Sequence, residues 1–217
     1  MDPDVGAMRR EYEAGGLSED DASADPFTLF GEWFAAAAGA SLAGAPGEAN
    51  AMVVATVDAE GRPSSRTVLL KGFSDAGFVF FTNYGSRKGS ELASSPACAL
   101  LFPWFALQRQ VRVEGVVARV PRAESEAYFA SRPRESQLGA WASHQSQVVA
   151  DRAELEDAYA SAAARFDGVE VPCPPFWGGY LVRPSRFEFW QGRRGRMHDR
   201  LAYDLVEGGW TRTRLAP

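Results

Sequence analysis

The residues with the greatest capacity for chemistry lie near the C-terminus, where four arginines surround a histidine. The arginines are Arg193, Arg194, Arg196 and Arg200. Because the chain has a net charge of −5, clustered cations indicate a local anionic ligand rather than a polyanion wrapped over the surface. In a strand or extended loop, Arg196 and His198 would face the same side, and Trp190 could stack on a planar ring. The alternative is a solvated arginine loop with a structural histidine.

A second pair of cations, Arg87 and Lys88, stands at the predicted start of a helix, directly after Gly85 and Ser86. The first turn of a helix offers free backbone N–H groups and the positive end of the helix dipole. Two cationic side chains there would complete a phosphate site. A solvated, charged helix start is the alternative.

A third set combines hydroxyl groups with a guanidinium. Tyr128 and Arg132 are four residues apart on one face of a predicted helix, and Ser136 follows Pro133, where we expect that helix to stop. These three groups suit a phosphate monoester. The alternative is a capped helix with a surface arginine.

Arg66 and Lys71 stand at the two ends of an apolar strand predicted over residues 67–70. Since they are five residues apart, their side chains point to opposite faces if the strand is regular. They are either site residues or the solvated ends of a barrel strand.

Composition and motifs exclude several classes of protein. A pI near 5.2 argues against a dedicated nucleic-acid binder. No apolar run approaches the ~20 residues of a membrane helix, and the acidic start of the chain is not a secretory signal, so we expect a cytoplasmic protein. The two cysteines have no CxxC partners, and HExxH, P-loop and EF-hand motifs are absent, so no metal is expected. The absence of GxGxxG argues against a Rossmann fold.

Four helices are predicted around these residues. The first has Asp25 as N-cap and Pro26 as first residue, and it ends in the Gly- and Pro-containing stretch 43–49. The others run from 85–88 to before Pro96, over 121–131 and over 151–166. Residues 1–24 are polar and predict a flexible N-terminal arm, which leaves 25–217 as a single domain.

Short strands between tight turns predict a mainly β (α+β) protein with antiparallel meander or Greek-key strands. The predicted strands are 52–57, 67–70, 78–82, 97–104, 110–120, 187–190, 202–206 and 210–214. Helices on the outside of a barrel of about six or seven strands would account for this pattern.

With these motifs assembled, the chain resembles the pyridoxamine 5'-phosphate oxidase family from about Asp25 to Pro217. No single motif would suffice, but all of them occur in the expected order. They are the runs 51–58, 68–71, 85–88, 101–104, 109–111, 131–134, 137–141, 176–179, 189–192, 196–200 and 214–217. The resemblance implies a homodimeric FMN-binding split barrel with the flavin at the subunit interface.

The resemblance also assigns roles to individual residues. The implied FMN contacts are Arg66, Thr67, Val68, Leu69, Leu70, Lys71, Phe81, Thr82, Arg87, Lys88, Gln110, Gln145, Ser146, Trp190 and Arg200. The implied substrate contacts are Arg9, Tyr12, Lys71, Tyr128, Arg132, Ser136, Arg196 and His198. Arg196 and His198 are also the implied catalytic residues, and Arg9 and Tyr12 lie on an arm that would close over the substrate.

The implied reaction oxidises pyridoxamine 5'-phosphate or pyridoxine 5'-phosphate to pyridoxal 5'-phosphate, with O2 as acceptor and H2O2 as product. Two departures from the family stand out: Phe81 replaces a frequent tyrosine, and Met197 replaces a commoner leucine. Two alternatives remain. One is a related FMN-dependent oxidase of another substrate, such as a phenazine precursor, and the other is a non-catalytic flavin-binding split barrel.

Overall fold

The structure of the chain is a computed structural model that describes Asp4 and residues 11–12 and 15–217. Helices in these residues are α1 (Pro26–Leu42), α2 (Arg87–Ser94), α3 (Arg122–Ala130), α4 (Arg134–Ala142) and α5 (Arg152–Arg165). The start of α1 is confirmed, because the Asp25 carboxylate accepts hydrogen bonds from the backbone N–H groups of Phe27 and Thr28. Within the described ranges, no helix is long and apolar enough to cross a membrane. Arg9, a predicted substrate residue, lies outside these ranges.

The strands of the described residues belong to one sheet. They are β1 (Ala51–Val57), β2 (Pro63–Leu69), β3 (Gly72–Ser74), β4 (Gly77–Asn83), β5 (Ala97–Trp104), β6 (Arg109–Arg119), β7 (Trp177–Gln191), β8 (Asp199–Val206) and β9 (Gly209–Arg214). The strand order is β2-β1-β5-β6-β7-β4-β3, and β8 pairs with β7 and β9. The pairs β3–β4, β4–β7, β7–β8 and β8–β9 are antiparallel. The predicted split-barrel class is confirmed, although the sheet has nine strands in the described residues rather than six or seven.

Several local predictions are wrong. Strand β2 begins at Pro63 rather than at 67, and the short strand β3 was not predicted. Strand β7 begins at Trp177 rather than at 187, because its Gly-containing first part pairs with β4. Pro133 follows α3 as predicted, but it also precedes α4, which was missed. Pro133 is the N-cap of α4, so Ser136 lies in the first turn of that helix.

The chain divides into two compact units, each with its own core. The terminal unit comprises the described residues up to Val53 together with Leu100–Glu114 and Pro184–Pro217. In it, fully buried Phe30 and Phe102 pack edge to face with 4.9 Å between ring centroids. The central unit comprises Val54–Ala99 and Gly115–Arg183. In it, Phe129 and Trp177 pack edge to face at 5.1 Å. A single domain over 25–217 stays a prediction.

Residues 17–23, which lie in the predicted arm, contact the last two strands. The backbone N–H of Leu17 donates to Asp199 Oδ2 at 3.0 Å, and Arg214 donates to the Leu17 carbonyl at 2.9 Å. The Tyr203 hydroxyl donates to the Ser23 carbonyl at 2.7 Å. These bonds hold this stretch beside β8 and β9, while the flexibility of residues 1–24 stays a prediction.

Candidate active site

A cavity of about 990 Å³ lies in the central unit. This volume is at the upper end of the roughly 300–1,000 Å³ typical of small-molecule sites. Most of the predicted contacts line it: Arg66, Thr67, Val68, Leu69, Lys71, Phe81, Thr82, Arg87, Lys88, Tyr128, Arg132, Ser136, Gln145 and Ser146. Leu70 does not line it, because its side chain packs into the core. The structure therefore brings together three of the four motifs that lie apart in the sequence.

Arg66 and Lys71 both line this cavity, although a regular strand would place them on opposite faces. The strand is not regular over this stretch, since β2 ends at Leu69. The backbone N–H of Lys71 then donates to the Val79 carbonyl at 2.8 Å as the chain turns into β3. The end of the strand is therefore what gives the two cations a shared cavity.

Helix α2 begins at Arg87, so Arg87 and Lys88 lie in its first turn as predicted. Ser86 is its N-cap, and the Ser86 hydroxyl accepts a hydrogen bond from the backbone N–H of Gly89. Lys88 is buried, and its ammonium donates to Thr82 Oγ1 and to Gln145 Oε1, each at 3.0 Å. Burial and, after it, the positive charge of Arg66 lower the pKa of Lys88 to about 8. A cation held in this way favours an anionic ligand that restores its charge balance.

Tyr128 and Arg132 are positioned by an aromatic stack. The Phe81 ring stacks on Tyr128 at 4.1 Å and on Trp177 at 5.4 Å. The Arg132 guanidinium lies over the Trp177 ring at 4.7 Å. Its Nη1 is buried and has no hydrogen-bond partner within the described residues. An unpaired buried donor on a cation requires an acceptor, and a phosphate oxygen is a suitable one.

Gly179 makes the position of Phe81 possible. It is paired with Phe81 across β4 and β7. A Cβ at Gly179 would come within 2.8 Å of the Phe81 ring and of a Val120 methyl group. The absence of a Cβ at Gly179 therefore leaves the space that the Phe81 ring occupies beside β7. Phe81 contributes a ring to the stack but no hydroxyl group.

The C-terminal motif, which consists of Trp190 and the arginines around His198, lies in the terminal unit. It does not line the cavity described above. The rings of Trp190 and His198 are 4.7 Å apart, and Tyr12 packs edge-on against both, at 5.7 and 5.6 Å. The backbone N–H of Arg193 donates to His198 Nδ1 at 3.1 Å, which places the proton of a neutral ring on Nε2. The extended backbone expected around Arg196 is not found: Arg196 ends a 3-10 turn with φ of 62° and is exposed.

Arg200 and Gln110 also lie in the terminal unit. Arg200 donates to the buried carboxylate of Glu188 at 3.0 Å and to the Ala216 carbonyl at 2.7 Å. Glu188 also pairs with Arg112 at 2.8 Å. Gln110 is half-buried on β6. Glu188 was not predicted as a site residue, because its only signal in the sequence is its position two residues before Trp190.

Two further residues of the cavity region were missed. Trp177 lines the cavity and carries the aromatic stack. Glu91 lies behind it, 5% exposed, and accepts from Arg66 at 3.2 Å and from Arg87 at 2.8 Å. Its spacing of four residues from Arg87 on a predicted helix was the available signal.

The sheet topology and the cation-lined cavity define a split-barrel protein with a site for anionic ligands. Two family models match the chain. "Pyridoxamine 5'-phosphate oxidase" matches residues 41–165, and "Pyridoxine 5'-phosphate oxidase C-terminal dimerisation region" matches residues 177–217. The chain therefore belongs to the pyridoxamine 5'-phosphate oxidase family, and it is a flavin-dependent oxidoreductase as predicted.

Relatives extend over the whole chain. A pyridoxine/pyridoxamine 5'-phosphate oxidase of Nocardioides sp. strain JS614 is 58% identical over 214 residues, covering 99% of this chain and 98% of the relative. The protein of the same name from Pseudomonas putida strain GB-1 is 52% identical over 217 residues and covers 100% of both.

Solved structures agree on the fold. PhzG from Burkholderia lata 383, in complex with tetrahydrophenazine-1-carboxylic acid, superposes with a TM-score of 0.85 at 32% identity and covers 94% of this chain and 99% of its own. A pyridoxamine 5'-phosphate oxidase-related, FMN-binding protein from Nostoc punctiforme has a TM-score of 0.68 at 16% identity, covering 86% of this chain and 96% of its own. The second likeness concerns the fold alone.

Proposed function

We propose that this enzyme oxidises pyridoxamine 5'-phosphate and pyridoxine 5'-phosphate to pyridoxal 5'-phosphate, with FMN as cofactor and with O2 as acceptor giving H2O2. The observation that carries the proposal is a cavity lined by two distinct sets of cationic and hydroxyl groups that suit a phosphate. One set lies at the start of α2 and the other surrounds Tyr128 and Arg132. A phosphorylated flavin and a phosphorylated substrate together require two such sets.

The residues at the start of α2 suit FMN. Arg87 and Lys88 would hold its phosphate, with Arg66 beside them. Thr82, Gln145 and the strand around 67–69 would line the rest of the cofactor, and Gln110, Trp190 and Arg200 would complete its site. When bound, FMN supplies the acceptor for the hydride that leaves the substrate carbon and passes the electrons to O2.

The second set suits the substrate phosphate. The groups of Lys71, Tyr128, Arg132 and Ser136 that line the cavity include two cations and two hydroxyls. Such groups form charge-assisted hydrogen bonds with a phosphate monoester. By fixing the phosphate, they would orient the substrate ring for reaction and reduce its freedom before the chemical step.

Arg196 and His198 are the residues we propose to contact the substrate ring and to assist proton removal. The His198 ring is oriented by the Arg193 backbone N–H and by Trp190, which leaves Nε2 to face a ligand. Tyr12 packs against the same two rings, consistent with an N-terminal segment that covers the substrate. Arg9 is proposed for the same cover.

We further propose a homodimer with the flavin at the subunit interface. The match of residues 177–217 to a dimerisation region supports this assembly, since that segment carries Trp190, Arg196, His198 and Arg200.

A phenazine-type substrate is the second candidate, because PhzG superposes so well on this chain. A phosphorylated substrate is favoured instead by the cations and hydroxyl groups of Lys71, Tyr128, Arg132 and Ser136, since a phenazine carboxylic acid carries no phosphate group.

The deciding experiment mixes the purified protein with FMN and pyridoxamine 5'-phosphate in air and follows pyridoxal 5'-phosphate and H2O2. We expect both products in equal amounts. A protein that retains FMN but does not turn over either vitamin B6 phosphate, and that oxidises a dihydrophenazine carboxylic acid, would establish the second candidate. Failure to retain flavin would exclude both.

A further inference from the structure

Glu91 is a buried carboxylate behind the proposed FMN phosphate site, and the proposed function gives it no role. Its side chain is 5% exposed, and it does not line the cavity. Both arginines that it contacts do line the cavity. Burying a carboxylate is costly unless it is paired and hydrogen-bonded. The partners of Glu91 therefore indicate what it does in this position.

Two hydroxyl groups connect Glu91 to Arg66. Thr56 Oγ1 donates to the Glu91 carboxylate at 2.5 Å, and Ser64 Oγ donates to its two oxygens at 2.9 and 2.7 Å. The Arg66 guanidinium donates to both of these hydroxyl oxygens through its two terminal nitrogens. It also reaches Glu91 directly at 3.2 Å. The plane of the Arg66 guanidinium is therefore fixed through three contacts that all end at one carboxylate.

Arg87 is held by the other side of the same carboxylate. Its Nε donates to Glu91 Oε1 at 2.8 Å, one helical turn away on α2. The Arg87 side chain is otherwise 61% exposed, so without this bond it would sample many rotamers. Because this bond uses Nε, the N–H groups of both terminal nitrogens of Arg87 are left to donate to an anion.

The charges of the group match a phosphate monoester. Arg66, Arg87 and Lys88 supply three positive charges, and Glu91 supplies one negative charge. Burial opposes the ionisation of Glu91, but hydrogen bonds from Thr56, Ser64, Arg87 and Arg66 outweigh it and lower its pKa to about 2. The two remaining positive charges balance the charge of about −1.5 to −2 that a phosphate carries at neutral pH.

We propose that Glu91 is a positioning residue that orients Arg66 and Arg87 toward the flavin phosphate and so determines the preference of this enzyme for FMN over riboflavin. The inference rests on the proposed function, because it takes the ligand of Arg66 and Arg87 to be that phosphate. Riboflavin is the informative comparison, since it differs from FMN by the phosphate alone.

Two simpler roles for Glu91 predict different results. If Glu91 acted only as a negative charge near the phosphate, its removal would strengthen FMN binding by relieving repulsion. If it served only to stabilise the fold, its removal would weaken FMN and riboflavin binding equally. Positioning alone predicts a selective loss of FMN affinity.

The experiment measures the Kd of FMN and of riboflavin by quenching of flavin fluorescence, in the wild type, Glu91→Ala and Glu91→Gln. The FMN preference is the Kd of riboflavin divided by the Kd of FMN. We expect Glu91→Ala to lower this ratio by about tenfold or more, because charge-assisted hydrogen bonds to the phosphate are lost. Glu91→Gln keeps an acceptor for Arg87 Nε and should lower the ratio by a smaller factor, about two- to fivefold. If Glu91→Ala does not fold, the isosteric Glu91→Gln decides the question by itself.

Glu126→Ala is the matched control, because Glu126 forms the same i,i+4 pair with Arg122 on α3, away from the cavity. Its ratio should equal that of the wild type. An unchanged or increased ratio in both Glu91 variants overturns the inference, while a wild type that prefers FMN leaves the proposed cofactor intact. A wild type that binds neither flavin overturns the proposed function and the inference with it.

Discussion

Among single residues, Arg132 provides the most direct test of the substrate phosphate site. Its guanidinium stacks on Trp177, and its buried Nη1 has no partner within the described part of the chain. We expect Arg132→Ala to raise the KM for pyridoxamine 5'-phosphate by about 100-fold, close to 2.7 kcal/mol, as for loss of a bidentate charged contact. Steady-state kinetics at saturating FMN measure this change, and the Kd of FMN should stay within about twofold.

Arg134→Ala is the control for that variant. The Arg134 guanidinium donates to the carbonyls of Val169 and Phe166 rather than lining the cavity. Its removal should lower stability but leave KM near the wild-type value. Equal KM values for the two variants would contradict the assignment of Arg132 to the substrate phosphate site.

Lys88 makes FMN binding depend on pH. Burial and the charge of Arg66 lower its pKa to about 8, so in the flavin-free protein it loses its proton as the pH rises through 8. A bound phosphate favours the charged form, so FMN affinity should be highest below pH 8 and fall above it. Between pH 7.5 and 9.5 the Kd of FMN should rise by about tenfold, and that of riboflavin should not change.

The same shift has a consequence for stability that can be measured without ligand. The folded pKa of Lys88 is below its usual 10.5, so between pH 8 and 10.5 the unfolded chain binds more protons and Lys88 contributes stability that increases with pH.

Lys88→Met removes the charge at nearly constant volume. Its Kd for FMN should be higher than that of the wild type at pH 7.5 and independent of pH up to 9.5. A wild-type Kd that stays constant over this range would contradict the role of Lys88.

At the scale of elements, the β4–β7 pair controls the aromatic stack, and Gly179 is its critical position. A Cβ there would meet the Phe81 ring and Val120 at 2.8 Å. We expect Gly179→Ala to lower the free energy of unfolding by about 1–3 kcal/mol, the usual range for overpacking. It should also raise the KM for pyridoxamine 5'-phosphate, because Tyr128 stacks on Phe81. Urea unfolding at one fixed protein concentration measures the first effect.

Gly39→Ala is the matched opposite. Gly39 lies in α1, and a Cβ there would meet no atom within 4 Å. Alanine should therefore stabilise the helix by up to about 1 kcal/mol and leave KM unchanged. If both glycine variants destabilised the protein equally, close packing at Gly179 would not be the cause.

The sequence predicts the elements whose signals are local. Asp25–Pro26 marks the start of α1, and Ser86 marks that of α2. It does not predict elements that depend on tertiary partners: the first part of β7 is a strand because β4 pairs with it, and α4 was missed because Pro133 ends one helix and precedes the next. Chemical types indicated Arg66, Lys88 and Arg132. The spacing of Glu91 from Arg87 signals only one of its contacts, and the roles of Glu91 and Trp177 depend on contacts across the chain that only the fold reveals.

For the whole molecule, the central question is how many chains build one active site. The cation-lined cavity belongs to the central unit, whereas Arg196 and His198 belong to the terminal unit. These two residues lie within 177–217, the segment that matches a dimerisation region. A segment that packs against a partner subunit can bring its side chains to the partner's site. We therefore expect a homodimer of two 23.6 kDa chains whose sites combine residues of both.

Mixing two impaired variants, assayed at a substrate concentration far below the wild-type KM, tests this arrangement. Arg132→Ala disables the substrate phosphate grip, and Arg196→Ala should lower kcat/KM by about 100-fold while leaving FMN bound. If each site takes Arg132 from one subunit and Arg196 from the other, a mixed dimer contains one site with both arginines intact. After unfolding and refolding equal amounts together, half of the dimers are mixed, and about a quarter of the wild-type activity should return. If both arginines of a site come from the same chain, every site in the mixture lacks one of them, and no activity returns. Refolding each variant alone is the control, and analytical ultracentrifugation verifies that the mixture is dimeric.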